Sequence, residues 1–585
     1  MRSFLKVFFA SLLALIIFTI IGVMVLIGIG VSAASSEAPA IAEKGVLVLD
    51  ASLPLPEQGQ ENPLSAFTPD ATDVVGLHDV IALINYAKTD DNIKGIYIRN
   101  CYSPNGLATL EELRTALADF KKSKKFIYAY SDIMNQKGYY LSSVADKVFA
   151  QPEGFFEWGG LSSEITYFKQ ALDRLNIQPQ IFYAGKFKSA TEPFRADKMS
   201  PENRLQTSVF INELYGKMLI DIAADRKIDT ATLRNLANTA AIRTVRDAVD
   251  AKLLDGARYD DDVKTSLANK VGIKPSETIN FVSISKYHKA VTIPNDGTDK
   301  IAIIVANGDI MDGEQEGNGV VTSNVFKNLV RKARLDDKVK AIVLRVNSPG
   351  GSALASDVIW HEITLAKKEK PVVVSMGDVA ASGGYYIACA ADSVFANHTT
   401  ITGSIGVFTI LPNMQGFLKD KLGVTFDGVK TGPYADMLTI TRPLTTAEQA
   451  LMQTGVEKTY GTFKKKVADG RKKSVDYIDS IAQGRVWTGD KGVTVGLVDR
   501  IGTLQDAVAC AARMAKSKSY KVRFYPEAPD FLQQVLNGNA VNNIKTQVLK
   551  SEIGEAQWQL LNKTKQVQNL VGVTQCRMPF DISVR

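Results

Sequence analysis

The sequence predicts an α/β fold that occurs twice in tandem behind an N-terminal transmembrane helix, and three observations carry that prediction. Two long stretches of the chain read as copies of one another. Within each copy, short apolar runs rich in valine and isoleucine alternate with segments of helical period, the pattern of parallel strands joined by crossover helices. Ahead of both copies stands an almost unbroken apolar segment.

That segment runs from Val7 to Val31, longer than the roughly 20 residues that cross a bilayer, with Arg2 and Lys6 before it. Positive flanks stay on the cytoplasmic side, so everything after the segment is expected to face outward. Val31-Ser32-Ala33 resembles a signal-peptide cleavage site, but the apolar stretch exceeds the usual h-region of about 7 to 15 residues, which favours an uncleaved anchor. Residues 1–40 are therefore read as anchor and tether. One short strand, Gly45 to Asp50, opens the first copy.

The copies are assigned to 41–273 and 300–515, with a Pro- and Asn-containing linker at 274–299 and a partly helical tail at 516–585, the helical part from Ala540 to Val571. The stretch from Asp90 to Arg99 parallels that from Asp336 to Arg345, and a Ser-Pro turn follows each, at Ser103-Pro104 and Ser348-Pro349. Tyr215-Gly216 with Arg226 recurs as Tyr460-Gly461 with Arg471, and Leu253-Leu254-Asp255 as Leu497-Val498-Asp499. In the second copy, strands are predicted from Lys300 to Val305, Lys340 to Val346, Pro371 to Ser375 and Ser393 to Ala396. Helices are predicted from Ser323 to Arg334, from Ala355 to Lys368 and from near Ser382 onward.

Composition narrows the chemistry. With 69 basic and 62 acidic residues the chain carries +7, interspersed in sign and without a long basic run, so no nucleic-acid partner is implied. Cys101, Cys389, Cys510 and Cys576 have neither metal spacing nor the pattern of a disulfide framework, and read as small buried residues. No metal and no cofactor is called for.

The informative difference lies between the copies. The segment Gly377 to Ala396 matches Ser131 to Ala150, with Gln136 where the later copy has Ser382. Tyr183 to Ser189 matches Lys430 to Asp436, which sets Ala435 against Lys188. One copy keeps a lysine and the other a serine. A serine hydroxyl needs a base to take its proton, and a lysine serves when burial keeps it neutral. Lys188 is flanked by apolar and small residues, and its counterpart is uncharged. Of the four histidines, His78 and His288 lie in the early copy and the linker, His361 on an amphipathic helix, and His398 near Ser382 in sequence. Ser382 stands at a helix start, and the turn at Gly350-Gly351 with Gly383 offers backbone N–H groups from two loops for an oxyanion.

Val379-Ala-Ala-Ser382-Gly-Gly-Tyr-Tyr386, Asn347-Ser-Pro-Gly-Gly351, Thr402-Gly-Ser-Ile-Gly406 and Phe187-Lys-Ser-Ala-Thr-Glu-Pro-Phe194 together resemble the long form of the signal peptide peptidase A family, also called protease IV. The resemblance covers nearly the whole chain, anchor and duplication included. It implies a Clp-protease/crotonase-like fold and a Ser/Lys dyad that cleaves remnant signal peptides and other hydrophobic peptides. By motif, Ser382 matches the nucleophile, Lys188 the general base, and Gly351 and Gly383 the oxyanion glycines, with Gly350 still open. In related Clp proteases the catalytic histidine falls near Gly403-Ser404 rather than at His398, which argues against a catalytic role for His398. The family also implies a homotetrameric bowl at the outer, periplasmic face of the bacterial inner membrane, with an apolar groove. Two other classes stay open: a crotonase-like acyl-thioester enzyme, for which no phosphate-binding motif is found, and an inactive membrane scaffold, which the intact Ser382 and Lys188 argue against. Gln136 and Ala435 mark positions expected to be silent.

Overall fold

The computed structural model describes residues 2–34, 39–59, 73–274, 276–314, 319–527 and 572–578, with the single positions 554 and 557. The helical tail segment expected from Ala540 to Val571 lies outside the described residues. A helix spans Arg2–Ala34. Among the described residues no helix is long and apolar enough to cross a membrane. Within that helix side chains are described only at 4 and 6–22, so part of the expected anchor falls outside them.

The first half contributes β1 (Gly45–Asp50), β2 (Ile93–Arg99), β3 (Phe126–Met134), β4 (Lys147–Phe156), β5 (Gln178–Ala184) and β6 (Gly256–Ala257), and β7 (Phe281–Ser283) follows. Six of them form one sheet in the order β6-β4-β3-β2-β1-β7, every pairing parallel. Fully buried Leu47, Ile96, Ile98, Ile127 and Val148 fill its centre, as near-continuous apolar runs do when helices cover both faces. The stretch read as linker is thus partly built into this sheet, because Phe281–Ser283 gives β1 an edge partner.

The second half repeats the plan with β8 (Asp299–Asn307), β9 (Asp309–Met311), β10 (Val320–Thr322), β11 (Val339–Ser348), β12 (Gly350–Ser352), β13 (Val372–Ala381), β14 (Ser393–Ala396), β15 (Ile401–Gly403), β16 (Val407–Asn413), β17 (Val486–Thr488), β18 (Arg500–Ile501), β19 (Tyr520–Tyr525) and β20 (Gln575–Arg577). Its main sheet runs β17-β15-β13-β11-β8-β19, with β14 beside β13 and β18 beside β14. The helices Ser323–Leu335 and Ala353–Glu369 lie where the apolar periodicity placed them. The beginning of the tail joins this sheet, since β19 runs parallel to β8.

A third sheet belongs to both halves. Its order is β10-β9-β12-β20-β16-β5, and β5 of the first half pairs antiparallel with β16 of the second over seven register positions, from Gln178 opposite Asn413 to Ala184 opposite Val407. Phe182 on β5 is accordingly buried in the core of the second half. Elsewhere the halves meet through buried charge. Arg345 is 1% exposed and is gripped by Glu57 at 2.8 Å and Glu112 at 2.7 Å. Asp378 accepts the Ala108 and Thr109 N–H groups, satisfying orphan donors at the start of the helix Leu107–Lys121.

Candidate active site

Strand β13 ends at Ala381, and Ser382 turns the chain into the short helix Gly383–Ala388. Its backbone sits at φ 54°, ψ −111°, a region that costs a non-glycine residue of order 1–3 kcal/mol and needs its surroundings to enforce it. Two bonds do so: Ser382 N–H donates to the Gly403 carbonyl at 2.8 Å, and Tyr386 N–H to the Ser382 carbonyl at 2.8 Å. From this strained turn Ser382 Oγ lies 3.5 Å from the Gly406 carbonyl of its own half and within hydrogen-bond reach of the first half.

There it meets Lys188, delivered by the turn that follows β5. The β5–β16 ladder carries this turn into the second half, and the Phe187 N–H locks it by donating to the Gln483 carbonyl at 2.8 Å. The Gln206 amide, which bonds the Phe187 carbonyl at 3.1 Å and Ser189 Oγ at 3.0 Å, holds it from the other side. Close approach is possible because the facing residues are glycines: a Cβ at Gly484 would stand 2.6 Å from Lys188 Cβ, and one at Gly406 3.1 Å from Lys188 Cδ.

Lys188 Nζ lies 2.9 Å from Ser382 Oγ, 3.1 Å from Ser404 Oγ and 3.1 Å from the Ser404 carbonyl oxygen. Lysine and both serines are buried, and the ammonium has no carboxylate beside it among the described residues. Burial therefore drives the lysine pKa down to about 7, against a weaker opposing pull from the Cys576 thiol. That thiol is itself pushed up to about 12 by burial and stays neutral. An amine half unprotonated near neutrality, in hydrogen-bond contact with a hydroxyl, is chemically a base beside a proton donor.

The two sequence-predicted residues thus come together, 194 positions apart in the chain. Of the glycines, Gly350 N–H is already engaged with Ser348 Oγ at 3.1 Å, which separates it from Gly351. Ser404 was not singled out for a role from sequence, although the expected position of the Clp-protease histidine falls near Gly403-Ser404. His398 is elsewhere: its Nδ1 meets Asp490 at 2.6 Å, an interaction that raises its pKa, and its own backbone N–H bonds Glu111. In the first half, Gln136 Oε1 takes the Gly159 and Gly160 N–H groups at 3.2 and 2.9 Å, and Ala435 lies on an exposed run of turns.

Two α/β units meeting at a shared sheet around a buried serine define the class: the chain is a serine peptidase. A model of peptidase family S49 matches residues 119–274 and 364–518, and a Clp protease model matches residues 298–402. The chain belongs to peptidase family S49. Protease 4 of Salmonella typhi is 38% identical over 538 residues, 88% of this chain and 86% of that protein. Protease 4 of Haemophilus influenzae is 35% identical over 460 residues, 76% of this chain and 74% of that protein. The chloroplastic serine protease SPPA of Arabidopsis thaliana is 34% identical over 441 residues, 74% of this chain and 65% of that protein.

Proposed function

We propose that the chain is a membrane-anchored endopeptidase that uses a Ser382/Lys188 dyad to degrade cleaved signal peptides and other hydrophobic peptides. The observation that carries this reading is the 2.9 Å contact between a fully buried lysine amine and the hydroxyl of a serine on a strained turn. Neutral Lys188 takes the Ser382 proton as Oγ bonds to the substrate carbonyl carbon, and the N–H groups of Gly351 and Gly383 hold the oxyanion. Lys188 returns the proton to the leaving amine, then draws one from water to release the acyl group. Ser404 acts as a positioning residue, aiming the amine at Oγ through its hydroxyl and carbonyl.

The anchor reading assigns the helix Arg2–Ala34 to the bacterial inner membrane, with the peptidase on its periplasmic side. What supports it is the almost unbroken apolar run from Val7 to Val31 behind Arg2 and Lys6. A homotetramer is proposed on the family resemblance, and association of some kind is supported by the exposed apolar residues Leu422, Phe426, Val429, Tyr434 and Leu438 along one segment of the second half. The dyad is tested with a hydrophobic peptide substrate and a fluorophosphonate probe on the wild type, Ser382→Ala and Lys188→Ala. Activity and labelling are expected in the wild type alone; hydrolysis that survives in Lys188→Ala sinks the dyad.

A further inference from the structure

Lys188 is the central residue of an inverse γ-turn: its backbone lies at φ −75°, ψ 74°, and the Ser189 N–H closes the turn on the Phe187 carbonyl at 2.8 Å. A turn this short has a single internal bond, so the direction in which it aims its central side chain depends on what grips its two ends. One side chain grips both. Gln206, 1% exposed on the helix Pro201–Arg226, donates from Nε2 to the Phe187 carbonyl at 3.1 Å and to Ser189 Oγ at 3.0 Å.

The other end of the same amide reaches the serine half. Gln206 Oε1 accepts the Val486 N–H at 3.3 Å, and Val486 stands opposite Gly403 in the ladder between β15 and β17. Both groups that face the lysine are fastened at this point: the Gly403 carbonyl accepts the Ser382 N–H at 2.8 Å, and the Arg485 carbonyl accepts the Ser404 N–H at 2.7 Å. The amide has one workable orientation, because its nitrogen faces oxygen atoms, Asn203 Oδ1 at 3.2 Å among them, while its oxygen faces an N–H. Asn203 is fixed in turn, its Nδ2 donating to Glu192 Oε2 at 2.8 Å.

The duplication offers an internal comparison. Gln206 stands nine residues before Tyr215, and the residue nine before Tyr460 is Leu451, half exposed on the helix Thr446–Arg471. The copy with Ala435 in place of the lysine thus has no such amide either. We infer that Gln206 is a positioning residue for the proposed reaction, clamping the lysine turn and tying it to the strand pair that holds Ser382 and Ser404, so that amine and hydroxyl are set in one frame. The inference rests on the dyad proposed above. A purely structural contact between the same helix and the same strand lies nearby: Glu213 Oε2 accepts the Thr488 hydroxyl at 2.7 Å.

Hydrolysis of a hydrophobic peptide by the full-length protein in detergent is followed across pH for the wild type, Gln206→Met, Gln206→Glu, Glu213→Ala, Ser404→Ala and the Gln206→Met/Ser404→Ala pair. Gln206→Met keeps the length of the side chain and loses the amide; kcat is expected to fall about 10- to 100-fold with KM little changed and the pH midpoint displaced. Gln206→Glu keeps the shape and the bond to Val486, but its carboxylate cannot donate to the turn. Its midpoint is expected to move upward, since a negative charge beside the turn favours the ammonium. Glu213→Ala is expected to keep the wild-type kcat and midpoint. The paired variant is expected to lose less than the product of its single losses, because both groups act on one amine. A folded Gln206 variant with unmoved kcat and midpoint overturns the inference. So does an equal loss with an equally displaced midpoint in Glu213→Ala, which assigns the effect to docking of the helix, and so does failure of both Gln206 variants to fold, which makes the amide a structural group. Hydrolysis that survives in Lys188→Ala counts against the dyad itself.

Discussion

The corners at Gln136 and Ser382 are the same place in two copies of one fold, and they have been put to opposite uses. Each follows the third main-sheet strand of its half in chain order and begins a short helix bearing paired tyrosines, Tyr139-Tyr140 and Tyr385-Tyr386; the first hydroxyl of each pair bonds an equivalent carbonyl, Leu253 or Leu497, and the second an aspartate, Asp221 or Asp357. At Ser382 the turn is strained and its side chain reaches out of its own half. The Gln136 corner is relaxed: Asn135 caps the helix by accepting the Gly138 N–H at 2.8 Å, and Gln136 Oε1 accepts the Gly159 and Gly160 N–H groups of its own half. Scaffold was kept twice, strain only once. Strain was retained where a partner from the other half repays it.

The largest test of that contrast is removal of either partner. Ser382→Ala and Lys188→Ala are each expected to lower kcat/KM on a hydrophobic peptide by roughly 10⁴-fold or more, with the double variant no worse than either single one, since members of one catalytic unit are not additive. Equal loss from Gln136→Ala would erase the difference between the corners. Next comes pH. Because the proposed reaction uses neutral Lys188, kcat/KM should rise through an apparent pKa near 7 and level off above it, and Lys188→Arg should show no such recovery.

The same buried lysine enters stability with a definite sign. Its folded pKa of about 7 lies below the ordinary 10.5, so the unfolded chain binds more protons between those values and stability rises with pH across that window. Lys188→Met removes this contribution, read as a flatter Tm against pH. Ser404→Ala leaves the amine held by one bond fewer; a drop of about 10- to 100-fold in kcat with little change in KM is expected, together with a displaced pH profile, which a merely structural role would not move. Arg345→Met strands Glu57 and Glu112, whose buried carboxylates then face one another unpaired, and should cost about 3–5 kcal/mol in denaturant unfolding. Smallest is Gln136→Ser, which restores a serine without a lysine to meet it: activity should match wild type, and a fluorophosphonate should label only Ser382.

What could be read in advance follows from where the information resides. The strands of both main sheets announce themselves as apolar, β-branched runs because both of their faces are buried, and the dyad showed as a reciprocal loss between copies. Strand β20 carried no such mark. Gln575-Cys576-Arg577 lacks any strand pattern and becomes one only because β12 and β16 leave a gap of one strand between them. Ser404 was hidden similarly, since its role is set by the Lys188 amine that arrives from more than 200 residues away. Gly350 and Gly351 differ in that the Gly350 N–H is engaged with Ser348 Oγ, a bond that spacing alone does not encode.

The ladder between β5 and β16 has a further consequence, in terms of concentration. Seven register positions and a shared core hold the halves together independently of the peptide link at 274–299. That link is itself partly docked, since Phe281–Ser283 pairs with β1, but by joining the halves it makes their encounter intramolecular. Two separately synthesised halves, divided within it, are in effect a heterodimer awaiting its partner: each half inert, and activity dependent on dilution where the intact chain's is not.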